Sequence, residues 1–218
     1  MRRFVLVAAA ALVLAAPAGG TRPGFSAHVT NRFFPLAPGT TKISIGHVDG
    51  KRAKNVFRVT HRTAVIDGAP CVVVDDRLYL NGKLVERTTD WYSQDAKGTV
   101  WYFGENTAEL DANGRVVTTE GTWRAGRNGA RPGVFMPAHP SKGQVFQQEH
   151  ARGVAEDHFR IVSVIIGGGK DTVETREWTP LEPGVVERKT YVLGIGTDIE
   201  QTVKGGDDYL ELIQVRHD

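Results

Sequence analysis

The stretch DDRLYLNGKLVER, residues 75–87, decides the fold class. Asn81-Gly82 lies between two alternating runs, and Asn-Gly is the pair that best tolerates successive positive φ angles, so it marks a two-residue hairpin turn. Folding the chain there sets Tyr79 opposite Leu84, Leu78 opposite Val85, Arg77 opposite Glu86 and Asp76 opposite Arg87. Two opposite-charge pairs then fall into register together, as a correct pairing demands. Further turns continue the pattern downstream. A turn at 96–98 pairs Asp95 with Thr99, Ser93 with Trp101, Tyr92 with Tyr102 and Trp91 with Phe103, and Asn113-Gly114 closes another hairpin. Across 167–170, Val164 meets Val173, Arg160 meets Glu177 and Phe159 meets Trp178; the loop around Gly194 sets Lys189 opposite Glu200.

Consecutive hairpins of this kind predict an all-β chain of about ten to twelve antiparallel strands, and a meander that long must curl because strand twist accumulates. The expected architecture is a barrel or half-barrel, lipocalin-like or lipid-carrier-like. One face of the hairpins collects Val72, Val74, Leu78, Val85, Trp91, Trp101 and Phe103 and is read as the concave side. Asp76, Arg87, Ser93 and Asp95 share it, either as ion pairs at the barrel mouth or as ligand anchors.

Composition supports a globular domain: 24% of the 218 residues are charged and 40% apolar. Glycine supplies 25 residues without a triplet period, which suits many tight turns. Met1, Arg2 and Arg3 precede an apolar run from Phe4 to Ala16 that ends at Pro17, the pattern of a secretory leader over residues 1–18. The run is shorter than the roughly 20 residues of a membrane span. A single domain over 19–218 is expected outside the cytoplasm, secreted or in the cell envelope. Lys plus Arg (27) exceed Asp plus Glu (25) by two, and loss of Arg2 and Arg3 with the leader removes the excess, so no field for nucleic acid remains. Cys71 is the sole cysteine, which rules out a disulfide framework within one chain.

The connection 124–143 has no strand pattern and contains Gly126, Gly129, Pro132, Gly133, Pro137 and Pro140. Arg124, Arg127, Arg131, His139 and Lys142 make it basic, and Val134, Phe135 and Met136 give it an apolar tip. Such a loop can act as a lid, touch a membrane surface, or plug one barrel end.

The densest set of reactive side chains is QQEHARGVAEDH, 147–158. A turn at Arg152-Gly153 would set Glu149 opposite Glu156 and Gln147 opposite His158, with His150 diagonal to Asp157 and near Gln148. Opposed carboxylates either split their protonation states, as general acid and base do, or share a cation, and a histidine in reach completes such a set. Glu149, Glu156, Asp157, His150 and His158 are therefore the candidate catalytic residues; an exposed hairpin tip whose charges never meet is the alternative. Trp91, Tyr92, Trp101, Tyr102, Gln148, Trp178 and Arg87 are the candidate ligand contacts, with cross-strand core packing the plainer use of the aromatics. GGGK, 167–170, lacks the rest of a phosphate loop and reads as a turn. The chain contains no His-Glu-x-x-His, no nucleophile elbow and no dinucleotide fingerprint, so no cofactor is expected and any metal is left open.

The strings DWYSQDAKGTVWYFGENT (90–107), ARPGVFMPAHP (130–140), GVAED (153–157) and EWTPLEPGVVE (177–187) resemble an uncharacterised family of secreted bacterial β-rich proteins, over Asn31 to about Leu212. The resemblance implies a secreted β fold and brings no activity. Its members share Gln148, Glu149, Glu156 and Asp157 but not the two histidines. YVLGIG (191–196) is similar to a turn of envelope proteins with curled, lipid-carrier-like sheets. These observations lead to an extracytoplasmic barrel that holds a small amphipathic or apolar molecule in its concave face. A carboxylate-based hydrolase or lyase, with or without metal assistance, and an envelope-associated interaction protein without a pocket are the alternatives.

Overall fold

The computed structural model describes residues 22–218; the leader expected over 1–18 lies outside the described residues. The chain forms β1 (Phe25–Ser26), β2 (Thr40–Val48), β3 (Lys51–Ile66), β4 (Ala69–Leu80), β5 (Lys83–Asp95), β6 (Val100–Leu110), β7 (Val116–Thr118) and β8 (Trp123–Arg124). It continues as β9 (Arg131–Met136), β10 (Val145–Gln147), β11 (Glu149–His150), β12 (His158–Ile165), β13 (Thr172–Trp178), β14 (Val186–Val192), β15 (Gly196–Lys204) and β16 (Tyr209–His217). The described residues include no helix, and hence none long and apolar enough to cross a membrane.

Thirteen strands follow one antiparallel path, β10-β12-β13-β14-β15-β16-β2-β3-β4-β5-β6-β9-β11, which curls into a nearly closed barrel. The ends of this path meet in one short segment. Residues 145–147 pair with β12 and residues 149–150 pair with β9, so the chain changes partner at Gln148 and spans the seam. Close approach there depends on Gly133, where a Cβ would stand 2.2 Å from the Gln148 carbonyl oxygen.

The Asn81-Gly82 turn forms as read, with φ of 49° and 83°. Tyr79 faces Leu84, but a bulge follows, and Leu78 then faces Glu86, Arg77 faces Arg87 and Asp76 faces Thr88. The expected pairs Arg77–Glu86 and Asp76–Arg87 do not form. A slip of one residue turns every subsequent side chain to the opposite face. Thr88, Asp90 and Tyr92 therefore share the inner face with Val72, Val74 and Asp76, whereas Arg87, Trp91 and Ser93 point outward. Tyr92–Tyr102 and Ser93–Trp101 pair as expected, which carries Trp101 and Phe103 outward too. Ser93 donates to the carbonyls of Ser26 and Pro70, and the Phe25 ring of β1 covers Phe103 at 5.3 Å and Trp101 at 6.2 Å. Asp95 closes the hairpin tip and accepts from Trp101 Nε1 at 3.0 Å.

Val164 faces Val173 as expected, but a bulge between Ile161 and Ser163 brings Phe159 opposite Glu177 and His158 opposite Trp178. Lys189 faces Glu200 as read from the sequence. The segment 124–143 corrects the expectation of a lid: 131–136 is a barrel strand, Met136 is fully buried and Phe135 lies in the core. Its apolar residues are thus not a tip available to a membrane surface; Arg124, Arg127, Arg131, His139 and Lys142 remain exposed.

Residues 29–36 plug one end of the barrel, joined by a bridge between Val29 and Leu36, with Phe33, Phe34 and Leu36 buried. Asn31 fastens this plug. Its Nδ2 donates to the carbonyls of Gly98 and Pro137, and its Oδ1 accepts from the amides of Phe33 and Phe34. Asn31→Ala should cost about 2–3 kcal/mol, because buried donors and acceptors on several segments lose their partner at once. Urea unfolding reads this as a lower midpoint at constant slope.

Candidate functional site

The barrel encloses a cavity of about 300 Å³. Its floor is aromatic. Phe34 of the plug lies 4.3 Å from Phe135, 5.4 Å from Tyr92, 6.2 Å from Phe57 and 6.4 Å from Tyr191 between ring centroids, and Tyr92 stacks on Tyr102 at 4.7 Å. The walls carry charge.

Lys42 faces Phe57 across one strand pair and Phe57 faces Asp76 across the next, so the two charged residues flank one ring. Lys42 Nζ stands 5.5 Å from the Phe57 centroid and 5.7 Å from that of Phe34. A Cβ on Gly196 would meet this ammonium at 2.5 Å and push the lysine tip aside, and the φ of 97° at this position itself favours glycine. Neither Lys42 Nζ nor Asp76 Oδ1 has a hydrogen-bond partner, and the same holds for Gln148 Oε1 at the seam. Burial lowers Lys42 to about 8. It raises Asp76 well above the ordinary carboxylate range, with Asp90 and Glu200 pushing the same way.

Lys189, in contrast, is saturated. Its Nζ lies 3.2 Å from Glu177, 3.4 Å from Glu200 and 3.9 Å from Glu187. Burial works to lower Lys189, but these carboxylates outweigh it and hold the amine well above its usual value. Glu177 also accepts from Thr175 Oγ1 at 2.8 Å and from the Tyr191 hydroxyl at 3.2 Å.

The opposite wall gathers Glu105, Glu149 and Asp157. Glu149 accepts from Trp123 Nε1 at 3.4 Å, and burial followed by the Asp157 charge pushes it up to about 8. Glu105 rises through burial and then the charge of Glu149. Asp90, which accepts from the Tyr102 hydroxyl at 2.6 Å, is pushed by burial to about 7. Such carboxyls retain protons near neutrality while the cavity is empty and ionise when a cation is placed beside them, so this wall can donate or accept a proton, or offer its charge to a cation. A wider vestibule shares Glu105, Glu149 and Asp157 with the cavity, and Glu86, Glu109, Glu120, Glu182 and Glu187 continue its lining without a single basic residue. Among the described residues no three His, Cys, Asp or Glu side chains converge as metal ligands do.

Of the residues singled out in the sequence as catalytic or ligand contacts, Tyr92, Tyr102, Gln148, Glu149 and Asp157 line the cavity, as does Asp76, one of the four polar residues read onto the concave face. The rest do not. Arg87 is exposed; Trp91 lies beneath the Arg124 guanidinium, 5.4 Å away; Trp101 packs under Phe25. His158 stacks on Trp178 at 5.7 Å and binds the Glu156 carbonyl, away from the cavity. Gln147 faces His158 as expected. Glu156 does not face Glu149: the bridge Ala151–Ala155 lengthens the turn by one residue, so Glu149 meets Asp157 while Glu156 accepts from the Gly153 amide. His150 pairs with Arg131, and burial lowers its pKa.

Sequence reading missed Lys42, Glu105, Asp90 and Phe34. Thr40, Lys42 and Ser44 alternate on one side of β2 and look like a solvent face, though they face a polar barrel interior. Lys42→Met should stabilise the protein by about 2 kcal/mol at pH 7, since an unpartnered buried ammonium is removed. A lysine whose folded pKa lies below its unfolded value is penalised fully below the folded pKa, and the penalty fades as pH rises toward the unfolded one. The wild type should therefore gain on the variant between pH 8 and 10.5 in thermal melting.

An antiparallel barrel with an aromatic floor and charged walls is the class of protein that fold and site define. No protein-family model matches the chain, and no curated protein matches it in sequence. Among solved structures it is similar to a predicted exported protein with a YmcC-like fold from Bacteroides fragilis, at 13% identity and TM-score 0.46, covering 85% of this chain and 99% of that one. A predicted lipoprotein from Parabacteroides distasonis is similar at 11% identity and TM-score 0.41, with the same coverage.

Proposed function

We propose that this protein is an extracytoplasmic barrel that binds a small, partly apolar molecule in its interior. The observation that carries this reading is the convergence of three unpartnered buried polar atoms, Lys42 Nζ, Asp76 Oδ1 and Gln148 Oε1, on one cavity. Buried polar groups are nearly always satisfied, and each that is not calls for an explanation. A guest with an apolar body over Phe34 and Tyr92 and polar ends toward these atoms supplies one.

Calorimetry with 2-phenylethanol, p-cresol and indole tests the reading. Saturable binding of at least one, with a negative heat-capacity change and loss in the cavity-filling variant Ser44→Trp, is expected. No saturable heat with any of them, or undiminished binding in a folded Ser44→Trp, would refute it. The location rests on the basic and apolar leader pattern. Protein recovered outside the cytoplasm should begin close to Gly19. It should also remain free of covalent dimers, because Cys71 is fully buried and its thiol is pushed up to about 12.

A further inference from the structure

We infer that the guest of this cavity is an amphipathic organic cation, an amine whose ammonium faces the Glu105–Glu149–Asp157 wall while its body lies on the aromatic floor. The inference rests on the binding function proposed above and adds the chemical class of the ligand.

The unpartnered Gln148 Oε1, on a residue 6% exposed, is an acceptor that needs a donor, which an anion does not offer. The Lys189 ammonium does not compensate the wall, since Glu177, Glu187 and Glu200 already surround it. Lys42 is the remaining cation, and it sits at the aromatic end between Phe34 and Phe57, where it suits a hydroxyl or carbonyl oxygen on the guest body. Access points the same way. The vestibule shares its inner carboxylates with the cavity, and its outer lining is acidic with no base, so an incoming cation is concentrated and an anion repelled. Tyr92, Tyr102 and Phe135 line the cavity as well, and aromatic rings attract a cation in a desolvated site.

Three probes with one body and different heads separate the possibilities: 2-phenylethylamine, 2-phenylethanol and 3-phenylpropionate, titrated calorimetrically into the full-length mature protein. The amine should bind at least about ten-fold more tightly than the alcohol, and the acid most weakly. Glu149→Gln and, as an independent variant, Asp157→Asn should each cut the amine's advantage several-fold and leave alcohol binding nearly unchanged. Equal or tighter binding of the alcohol or the acid would overturn the cationic guest while leaving a binding cavity intact. An amine advantage that survives both substitutions would overturn it too. Failure of all three probes to bind would remove the cavity reading and the cation together.

Discussion

Glu149→Gln melts at higher temperature than the wild type at pH 7.5 and at the same temperature near pH 4. Glu149 is buried to 8% exposure beside Asp157 and Glu105, and burial with the Asp157 charge pushes it up to about 8, against an ordinary 4.5. A carboxyl whose folded pKa is raised costs nothing at a pH where both states hold the proton. The penalty grows as pH passes the unfolded value and is complete above the folded one. The window is therefore pH 4.5 to 8. Glutamine keeps the shape, still accepts from Trp123 and never ionises, so the gain at neutral pH is on the order of 3 kcal/mol, with neighbouring carboxyls absorbing part of the relief. For a chain of this size that is roughly 6–12 °C. Glu156→Gln, out on the turn, should change neither value by more than about 0.5 kcal/mol. Identical melting curves for Glu149→Gln and wild type at both pH values would mean that Glu149 is hydrated and the wall is not a shielded one.

Phe34→Ala is expected to cost about 3–5 kcal/mol, the scale for deleting a buried aromatic ring and leaving its hole. Phe34 is 2% exposed and joins the plug to four rings on four strands of the barrel, Phe57, Tyr92, Phe135 and Tyr191. The loss removes edge-to-face contacts as well as area, and withdraws one of the two rings beneath the Lys42 ammonium. Denaturant unfolding followed by tyrosine and tryptophan fluorescence measures it. A cost below about 1 kcal/mol would mean that the plug is not packed against the barrel floor.

Turns were legible in the sequence, and faces were not. Asn81-Gly82 and the Lys189–Glu200 pair are local features, fixed by backbone φ angles and by charge, and both are present where read. What misled was the bulge after Leu78, which leaves Val85 outside the paired register and inverts β5. Ionic complementarity favoured the unbulged register, but that pairing would send Asp90 outward and bring Trp91 in. The actual register lets the Arg77 guanidinium bind the Thr88 carbonyl at 2.7 Å and gives Asp90 its Tyr102 hydroxyl. The second obstacle is the interior itself. Because it mixes carboxylates and lysines with rings, hydrophobic alternation marks the wrong side of β2 and hides Lys42. Pro132 and Gly133 concealed β9 in a similar way, although Gly133 is what lets the seam close. Gln148, Glu149 and Asp157 emerged because acids and amides crowd together there along the chain, a signal independent of register.

The pairing of β16 with β2 joins positions far apart along the chain: His217 faces Thr40, and the Asp218 amide donates to the Gly39 carbonyl. β16 leaves the ribosome after every strand it must close upon. Until it arrives, β2 presents a free nine-residue edge whose amides and carbonyls have no partner on that side, a template for pairing between nascent molecules. Closing so long a loop carries an entropic cost that must be met before the contact forms, as in topologies rich in distant contacts generally. The hairpins from β2 to β6 can assemble early, but the enclosure that shields Lys42 and Glu149 from water exists only once β16 has been made and has docked on β2.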